Sequence, residues 1–490
     1  MSGIAYFDLS TPRRIHVIGI GGPGMNAIAQ VLCEMGHQVS GSDIHESEVL
    51  DRLRALGVSI IVGHDETVVQ NCDVVTASTA IPETNIELVA AAEQSIPVLS
   101  RARMLSAICA LKQSVAVAGT HGKTTTSAML MHILTTAGLQ PSFVIGGDVH
   151  GLNLGAGWRN GKHLVVEADE SDSTHLALPL FGSILTNVDV DHLDHFATFD
   201  NIVESFEQYV TKIDGPKVLC ADDAVTAKIA TKIAAKQACR TYGRSINADV
   251  RAVNVVLADG RSRFDVEARQ SGSTSLQVLV GSVELPLRGE HNVLNATAAL
   301  TMAMELGVEF VVAAQALSSF RGVARRFDMR GVDDGATFVD DYAHLPNEII
   351  AVLRGARDAT DTWSRVVAVF QPNRFNRMSV MSSAYADAFG DADVVVVTDI
   401  YSSGTAPIPG VTGKLVVDAI EKNHPGKRVE WIAQREDLVS FLASTLTTGD
   451  LCISMGCGDV AQLPDEVISL RQSNRANKAR KHEITKSRKL

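Results

Sequence analysis

The sequence predicts an α/β protein built from three successive domains with parallel sheets. Apolar strand segments alternate with helical segments, which is the pattern of βαβ units. This alternation starts three times, at "RRIHVIGIGG", at "SVAVAGTHGK" and at "GATFVDDYAH". The chain has 490 residues, which is too many for a single hydrophobic core. We predict domains at residues 1–108, 109–328 and 329–470, followed by a basic, disordered tail at 471–490.

The elements of the first series follow in chain order. "RRIHVIGI" is a strand that enters a glycine-rich turn, "NAIAQVLCEMG" is a helix that ends at Gly36, and "HQVSGSD" is the next strand. "DVVTAST" and "IPVLS" are further strands. Short apolar strands joined by helices predict an open parallel sheet here.

The second and third series have the same character. The second contains the strands "SVAVA", "HLVVE" and "GSILTN", a strand-rich region at about 247–288, and a helix that begins in "GEHNVLNATAAL". The third contains the strands "GATFVDD", "SRVVAVF", "DADVVVV" and "GDLCISM". Charged and polar residues follow several of these strands, at the sheet edge where α/β proteins bind ligands.

Composition and charge exclude several classes of function. The net charge is −12, and the last 20 residues hold eight Lys or Arg and one Glu, so the body is more acidic still. An acidic body argues against nucleic-acid binding. Apolar runs fall short of the roughly 20 residues of a membrane span, and the N-terminus lacks a signal-peptide pattern. The seven scattered cysteines contain no Cys-x-x-Cys pair. We expect a cytoplasmic protein without membrane insertion.

A first glycine loop, "GIGGPGM", follows the first strand and precedes a helix. Its G-x-G-x-x-G spacing lets the backbone approach a pyrophosphate at a helix N-terminus. Asp43 ends the next strand, where an acid meets a ribose hydroxyl in dinucleotide-binding proteins. Three interpretations remain open: an NAD site, a nucleotide-sugar site with the same phosphate cradle, or a tight turn without a ligand.

A second glycine loop, "GTHGKTTT", predicts a triphosphate site. The usual G-x-x-x-x-G-K-[ST] spacing requires glycine at position 117, where the chain has Val117. The shorter loop still offers backbone N–H groups, the ammonium of Lys123 and the hydroxyl of Thr124. Glu167 closes a later strand, and His192 lies in an Asp-rich run after the next one. The carboxylate oxygens of Glu167 are hard ligands that suit Mg²⁺, and the Asp-rich run favours a metal or phosphate role for His192. The alternative is a structural turn.

These segments together resemble the Mur ligase family, ATP-dependent amide-forming ligases of peptidoglycan precursor synthesis. "GTHGKTTT", "EADESD", "DHLDH", "GEHNVLNATAA" and "ARRF" occur in that family's order. "GIGGPGM", "SGSD", "DDYAH", "FQPNR" and "DIYSSGTAPIPG" resemble the branch that attaches L-alanine to UDP-N-acetylmuramate. The resemblance covers nearly the whole chain except the tail. It implies an N-terminal Rossmann-like domain, a central P-loop ATPase-like domain and a C-terminal Rossmann-like domain.

The resemblance implies an acyl-phosphate mechanism with UDP-N-acetylmuramate, L-alanine and ATP as small-molecule substrates and Mg²⁺ as cofactor. It leaves open the oligomeric state, the strictness for alanine and the presence of a carbamylated lysine. Its implied catalytic residues are Lys123, His344, Arg374 and Arg377, and its metal ligands are Thr124, Glu167 and His192. It assigns to ATP the residues Gly119, Thr120, His121, Gly122, Lys123, Thr124, Thr125, His291, Asn292, Asn295 and Arg326. It assigns to the sugar nucleotide and alanine the residues Gly21, Gly22, Gly24, Met25, Asp43, His344, Arg374 and Arg377.

The third domain departs from the family pattern at three positions. Leu345 replaces the second histidine of Asp-Asp-Tyr-Gly-His-His-Pro, Asn373 replaces the histidine of Gln-Pro-His-Arg-Tyr, and Thr405 replaces the glutamate of Ala-Gly-Glu. These changes keep open the alternative of an ATP-binding scaffold that has lost activity. Two further alternatives to an alanine ligase are a related ligase that reattaches recycled peptide to the same sugar nucleotide and an NAD-dependent dehydrogenase that uses the first loop.

Overall fold

The computed structural model describes residues 6–152, 154–191, 193–269, 278–358 and 363–487. The strands are β1 Arg14–Ile18, β2 Gln38–Asp43, β3 Ser59–Val62, β4 Val74–Ala77, β5 Val98–Ser100, β6 Gln113–Ala118, β7 Ser142–Val149, β8 Leu154–Gly157, β9 His163–Glu167, β10 Gly182–Leu185, β11 Lys217–Cys220, β12 Arg240–Gly243, β13 Val250–Ala258, β14 Arg261–Ala268, β15 Val278–Leu285, β16 Asp328–Asp333, β17 Ala336–Asp341, β18 Arg365–Phe370, β19 Val394–Val397, β20 Arg428–Trp431 and β21 Asp450–Met455.

The helices separate most of these strands, as the sequence predicts. They are α1 Pro23–Glu34, α2 Glu48–Ala55, α3 Ile86–Glu93, α4 Arg101–Cys109, α5 Lys123–Thr136, α6 Thr174–Ala177, α7 Leu193–Phe196, α8 Phe199–Thr211, α9 Ala224–Ala234, α10 Glu290–Glu305, α11 Phe310–Ser319, α12 Pro346–Arg357, α13 Phe375–Met381, α14 Lys414–Asn423, α15 Arg435–Thr445 and α16 Leu463–Ser487. None of the described helices is long and apolar enough to cross a membrane.

The described chain divides into two compact units. The first contains the residues up to Val256 together with 263–286 and 291–321, and the second contains 257–262, 287–290 and the chain from Gly322 onward. The first unit carries two of the three sheets, and the second unit carries the third. The α/β class with three sheet-containing domains is therefore confirmed, while the boundaries at 108 and 328 stay predictions.

The N-terminal sheet of the first unit has five parallel strands in the order β3-β2-β1-β4-β5. Ile15, Val17 and Ile18 of β1 are fully buried because helices cover both faces of a parallel sheet. Helix α1 begins with a proline, whose φ suits the first helical position, and is followed by Gly36 in the left-handed region at φ +90°. The glycine loop between β1 and α1 therefore lies at the carboxyl edge of this sheet.

The central sheet has ten strands in the order β15-β14-β13-β12-β11-β10-β6-β9-β7-β8. Strands β10, β6 and β9 run parallel side by side, and residue Val117 of β6 pairs with Glu167 of β9. The two sheets of the first unit share one hydrophobic core, and Gln30 of α1 donates from Nε2 to the carbonyl of Ala156 at 2.8 Å. The loops that follow β6 and β9 therefore meet at one sheet edge.

The sheet of the second unit has six strands in the order β16-β17-β21-β18-β19-β20, and only the β16–β17 pair is antiparallel among them. The register aligns Asp341, Met455, Phe370 and Val397 at the ends of four neighbouring strands. The segments that follow these strands contain "YAHLP", "GCGD", "QPNRF" and "TDIY". The sheet therefore presents the predicted third-domain motifs at one edge.

Residues 471–487 of the predicted disordered tail are helical in the structure. Helix α16 runs through Ser487 as one element, and its first turns pack Leu463 and Val467 into the core of the second unit. Arg471 is buried, with 6% of its side chain exposed, and it donates from Nε to Asp333 Oδ2 at 2.8 Å. Arg475 donates to the same carboxylate from the next turn. Charge composition suggested a solvated segment because it does not reveal a partner acid 138 residues away in the chain.

Replacing Arg471 by methionine should therefore destabilise the second unit by about 2–3 kcal/mol, because it leaves the buried Asp333 with fewer partners. Arg475→Met is the matched control and should cost about 1 kcal/mol or less, since 46% of the Arg475 side chain is exposed. Urea unfolding followed by tryptophan fluorescence measures the free energy of unfolding of both variants. A Trp158→Phe background is used, so that Trp363 and Trp431 report on the second unit. Equal midpoints for the two variants would contradict a docked tail helix.

Candidate functional site

The first glycine loop connects β1 to α1 and is held by backbone contacts to the end of β2. The N–H groups of Gly19 and Ile20 donate to the carbonyl of Ser42 at 2.9 and 3.0 Å. The N–H of Gly21 donates to Asp43 Oδ2 at 2.8 Å, so the predicted acid and the loop are in contact. Residues Gly22, Gly24 and Met25 begin the helix, and the Met25 side chain is buried.

Arg101 lies against this first loop, and the sequence analysis had not singled it out. A Cβ on Gly24 would lie 3.1 Å from Nη1 of Arg101. Nη2 of Arg101 also donates to Asp169 at 3.2 Å and to Asp172 at 2.8 Å. One guanidinium therefore contacts both the first glycine loop and the acidic segment that follows β9.

The second glycine loop runs from Gly119 to Gly122 between β6 and α5. Val117, which occupies the position of a glycine in the longer motif, is a fully buried residue of β6. Gly119 has φ +120° and Gly122 has φ +82°, conformations that side chains disfavour. A Cβ on Gly119 would collide with Oγ1 of Thr186. The shorter spacing therefore still forms a tight turn that leads into a helix N-terminus, which favours phosphate.

The loop is braced by the segment after β10. The N–H of Thr120 donates to the carbonyl of Asn187 at 3.0 Å, and the N–H of His121 donates to Asn187 Oδ1 at 2.8 Å. Nε2 of His121 lies 3.0 Å from Oδ2 of Asp189. These contacts hold the turn from one side.

Helix α10 lies against the loop on another side. A Cβ on Gly122 would lie 2.5 Å from Oδ1 of Asn295, and Nδ2 of Asn295 donates to Asn292 Oδ1 at 3.2 Å. His291 belongs to the first turn of the same helix. The structure thus brings Asn295 against the second glycine loop, and its assignment to ATP stays a prediction.

Lys123 begins α5 and is surrounded by acids. Its Nζ donates to Glu170 Oε1 at 2.9 Å and Oε2 at 3.0 Å, and to the carbonyls of Gly119 and Thr120 at 2.6 and 3.2 Å. Burial lowers the pKa of Lys123, but the carboxylates of Glu170 and Asp169 outweigh it and raise the pKa above its usual value. The side chain is therefore a charged ammonium at neutral pH.

Asp169 remains ionised beside this lysine. Burial opposes ionisation, yet Lys123 and the hydrogen bonds from Ser171 hold the pKa of Asp169 at about 2. Burial raises the pKa of Glu170, and the ammonium of Lys123 opposes that shift. The site thus combines one lysine with several acids, a balance that polyvalent phosphate and a divalent cation together would complement.

The predicted metal ligands divide between described and undescribed residues. Thr124 and Thr125 are buried in the first turn of α5, and Glu167 Oε1 accepts from the N–H of Gly146 at 2.8 Å. His192 lies outside the described residues. Among those that are described, no three His, Cys, Asp or Glu side chains form a metal-binding group. The hydroxyl of Thr124 and the carboxylate of Glu167 are hard oxygen donors, so these two residues fit Mg²⁺.

In the second unit, His344 follows β17 and is oriented by Glu348 of α12. The N–H groups of His344 and Leu345 donate to Glu348 Oε2 at 2.9 and 3.1 Å, and Nδ1 of His344 lies 3.3 Å from the same oxygen. The carbonyl of His344 accepts from the hydroxyl of Tyr385 at 2.7 Å. Leu345, where the family pattern has a histidine, is buried, so this position serves packing.

The two predicted arginines after β18 differ in their surroundings. Arg374 has φ +62° and ψ 117°, a strained conformation for a residue with a side chain, and its N–H donates to the carbonyl of Tyr401 at 2.9 Å. Arg377 is buried, and its Nη1 donates to Asn373 Oδ1 at 2.9 Å. Strain of this kind persists where the surrounding structure enforces it, and it often accompanies function.

The other two departures from the family pattern also form ordered contacts. Asn373 is buried and holds Arg377 through the bond just described. Thr405 accepts from the N–H of Phe375 at 2.9 Å through Oγ1 and donates to the carbonyl of Ser402 at 2.6 Å. The side chains of Asn373 and Thr405 therefore hold residues in the first turn of α13.

Arg326, which the resemblance assigns to ATP, belongs to the second unit. The guanidinium carbons of Arg325 and Arg326 lie 5.0 and 4.9 Å from the centre of the Tyr342 ring. Asp341 accepts from the N–H of Phe327 at 2.7 Å, and burial raises the pKa of Asp341 to about 6 although Arg326 opposes the shift. These contacts tie "ARRF" to the segment that contains His344.

Three family models match successive stretches of the chain. Family models match at residues 14–113, described as "Mur ligase family, catalytic domain", at 117–303, described as "Mur ligase middle domain", and at 325–458, described as "Mur ligase, glutamate ligase domain".

Similar proteins cover nearly the whole chain. A UDP-N-acetylmuramate–L-alanine ligase of Geobacter sp. strain M21 is 41% identical over 458 residues, which are 93% of this chain and 97% of that protein. One of Bradyrhizobium sp. strain BTAi1 is 41% identical over 464 residues, covering 93% and 98%. The crystal structure of UDP-N-acetylmuramate–alanine ligase from Thermotoga maritima has a TM-score of 0.77 at 29% identity and covers 94% of this chain and 100% of that one. That of a murein peptide ligase from Psychrobacter arcticus has a TM-score of 0.68 at 24% identity, covering 93% and 98%, which shows the fold alone.

Proposed function

The chain belongs to the Mur ligase family, and we propose that it joins L-alanine to the carboxylate of UDP-N-acetylmuramate in peptidoglycan precursor synthesis, converting ATP to ADP and phosphate. The observation that carries the proposal is the loop of residues 119–124, which places a charged lysine at the N-terminus of α5 within a group of acids. The 41% identity to two alanine ligases over 93% of the chain supports the choice of substrates.

The first step makes the sugar carboxylate reactive. Its oxygen attacks the γ-phosphorus of ATP, the bond to the β–γ bridging oxygen breaks, and an acyl phosphate and ADP form. Two anions must approach each other, so positive charge and N–H donors are needed where negative charge develops. Lys123 and the N–H groups at the start of α5 supply them.

The second step forms the amide. The neutral amine of alanine attacks the acyl carbon, phosphate leaves with the electrons of the C–O bond, and the nitrogen loses a proton. His344 is the proposed acceptor of that proton, because Glu348 Oε2 lies 3.3 Å from its Nδ1 and favours the charged imidazolium. Arg374 and Arg377 are the proposed partners of the alanine carboxylate, which a guanidinium can bind through two N–H groups.

Mg²⁺ is the proposed cofactor, with Thr124 and Glu167 as its protein ligands in the described part of the chain. When bound, it would neutralise the phosphate charge. His192 stays a predicted third ligand. In the first glycine loop, the N–H of Gly21 donates to the carboxylate of Asp43. This loop is the proposed binding site for the pyrophosphate of the sugar nucleotide. Seven unpaired cysteines suit the proposed cytoplasmic location.

The alternatives receive less support. An NAD-dependent dehydrogenase would leave the lysine loop without a role. The likeness to the peptide ligase, at 24% identity, extends to the fold alone. Asn373 and Thr405, whose changes suggested an inactive scaffold, retain bonds that order α13.

We expect ADP release from the purified protein to require UDP-N-acetylmuramate, L-alanine and Mg²⁺ together. A coupled pyruvate kinase and lactate dehydrogenase assay measures ADP with each substrate omitted in turn, and mass spectrometry identifies the product. ADP release that depends on a tripeptide instead of alanine would favour the peptide-ligase alternative. No release under any combination would contradict the ligase assignment.

A further inference from the structure

Glu170 holds the phosphate-loop lysine in a contact that the sequence analysis did not single out. Both carboxylate oxygens of Glu170 accept from Nζ of Lys123, at 2.9 and 3.0 Å. The carbonyls of Gly119 and Thr120 accept from the same nitrogen. An ammonium group has three N–H donors, so these four acceptors already saturate it. Lys123 must release at least one of them before it can contact a phosphate.

The charge of the acceptor decides which contact of Lys123 is released. Glu170 is 3% exposed, and among the described residues Lys123 is the only side chain that donates to its carboxylate. Separating the pair would give up a contact in which both carboxylate oxygens accept from a charged nitrogen, and such charge-assisted contacts are stronger than ordinary hydrogen bonds. The carbonyls of Gly119 and Thr120 are neutral acceptors, and a hydrogen bond from an ammonium to a neutral carbonyl is weaker than its two-oxygen contact with a carboxylate.

Neighbouring cations do not replace Lys123 for this acid. Arg101 donates from Nη2 to the adjacent Asp169 and to the nearby Asp172, and in the described part of the chain it does not bond to Glu170. Neighbouring acids of this segment thus pair with different cations: Asp169 forms an ion pair with Arg101, and Glu170 forms one with Lys123. The carboxylate of Glu170 is therefore bonded to the lysine of the phosphate loop and not to Arg101.

We infer that Glu170 is a positioning residue for ATP: it keeps its ion pair with Lys123 when the nucleotide binds and so directs Nζ at the phosphates. The lysine exchanges its carbonyl contacts for phosphate oxygens and retains the carboxylate. The inference rests on the proposed function in that it takes ATP as the ligand of this loop.

A double-mutant cycle on the full chain tests this role. Isothermal titration calorimetry with a non-hydrolysable ATP analogue and Mg²⁺ gives the Kd of Glu170→Gln, Lys123→Met and the double variant. We expect Glu170→Gln to raise the Kd about tenfold in the wild-type background and less than twofold in the Lys123→Met background, because Glu170 acts through Lys123. Asp172→Asn, which removes an acid of the same segment that pairs with Arg101, is the matched control and should leave the Kd within twofold.

Each other outcome overturns the inference. An unchanged Kd for Glu170→Gln would mean that the lysine needs no anchor, and a lower Kd would mean that Glu170 competes with phosphate as a latch. Equal effects of Glu170→Gln in both backgrounds would indicate a general structural role. If Glu170→Gln does not fold, Glu170→Asp keeps the charge with a shorter reach, and the same cycle applies to it.

The analogue binds without alanine or sugar nucleotide, so the cycle remains informative if those two substrates are assigned wrongly. Failure of the proposed function would appear instead as absent ADP release from the wild-type protein.

Discussion

Replacing Lys123 by methionine should lower the rate of ADP release about a thousandfold, because the variant loses the charge that stabilises the transferred phosphoryl group. The Kd for UDP-N-acetylmuramate should change less than twofold, since the first glycine loop contacts Asp43 and Ser42 rather than Lys123. Quenched-flow detection of acyl phosphate and calorimetric titration of the sugar nucleotide measure the two effects separately.

Lys112→Met is the matched control for this prediction. Lys112 immediately precedes β6, at the strand end opposite the phosphate loop, and its Nζ donates to the carbonyl of Arg159 at 2.6 Å. The turnover of the Lys112→Met variant should stay within about twofold of the wild-type value. Ordinary turnover by Lys123→Met would remove the lysine from the mechanism, and with it the main observation behind the proposed function.

Arg374→Lys should raise the KM for L-alanine about tenfold or more, which corresponds to roughly 1.4 kcal/mol. Lysine keeps the positive charge but loses the planar pair of N–H donors that binds a carboxylate. The backbone at Arg374 is strained, with φ +62°, and such strain often marks functional residues. We therefore expect Arg374 to contribute more than Arg377 to binding of the alanine carboxylate. Steady-state kinetics with each substrate varied in turn should show the KM for ATP and for the sugar nucleotide changed less than twofold.

Arg377→Lys is the comparison variant, and its expected effect is different. Arg377 is buried and bonded to Asn373, so the substitution should lower the thermal stability of the second unit as well as turnover. Wild-type alanine KM and turnover in both variants would show that alanine binds elsewhere and that the third-domain assignment is wrong.

Local sequence was sufficient for the class of fold and for the phosphate loop. The βαβ pattern depends on short-range periodicity, and Lys123 and Thr124 enter a helix directly after a buried strand, so the chain itself encodes the turn. The shorter spacing is compatible with a tight turn, because Val117 belongs to β6 and the turn begins at Gly119.

Family resemblance added the third-domain motifs, and the register of the sheet brings them to one edge after β17, β18, β19 and β21. The separate surroundings of Arg374 and Arg377 did not follow from the motif. Backbone strain at one residue and burial of its neighbour three positions later arise from packing around α13, which spacing does not encode.

What the sequence by itself determined is therefore local: the alternation of strands and helices, the two glycine loops and the residues that end the strands. Tertiary structure alone decided which acid meets Lys123 and which acid meets Arg471. Glu170 pairs with a lysine 47 positions earlier, and Arg471 pairs with an aspartate 138 positions earlier. Charge pairing over such separations depends on burial and on the folded path of the chain, because a carboxylate that loses water must find its cation in space.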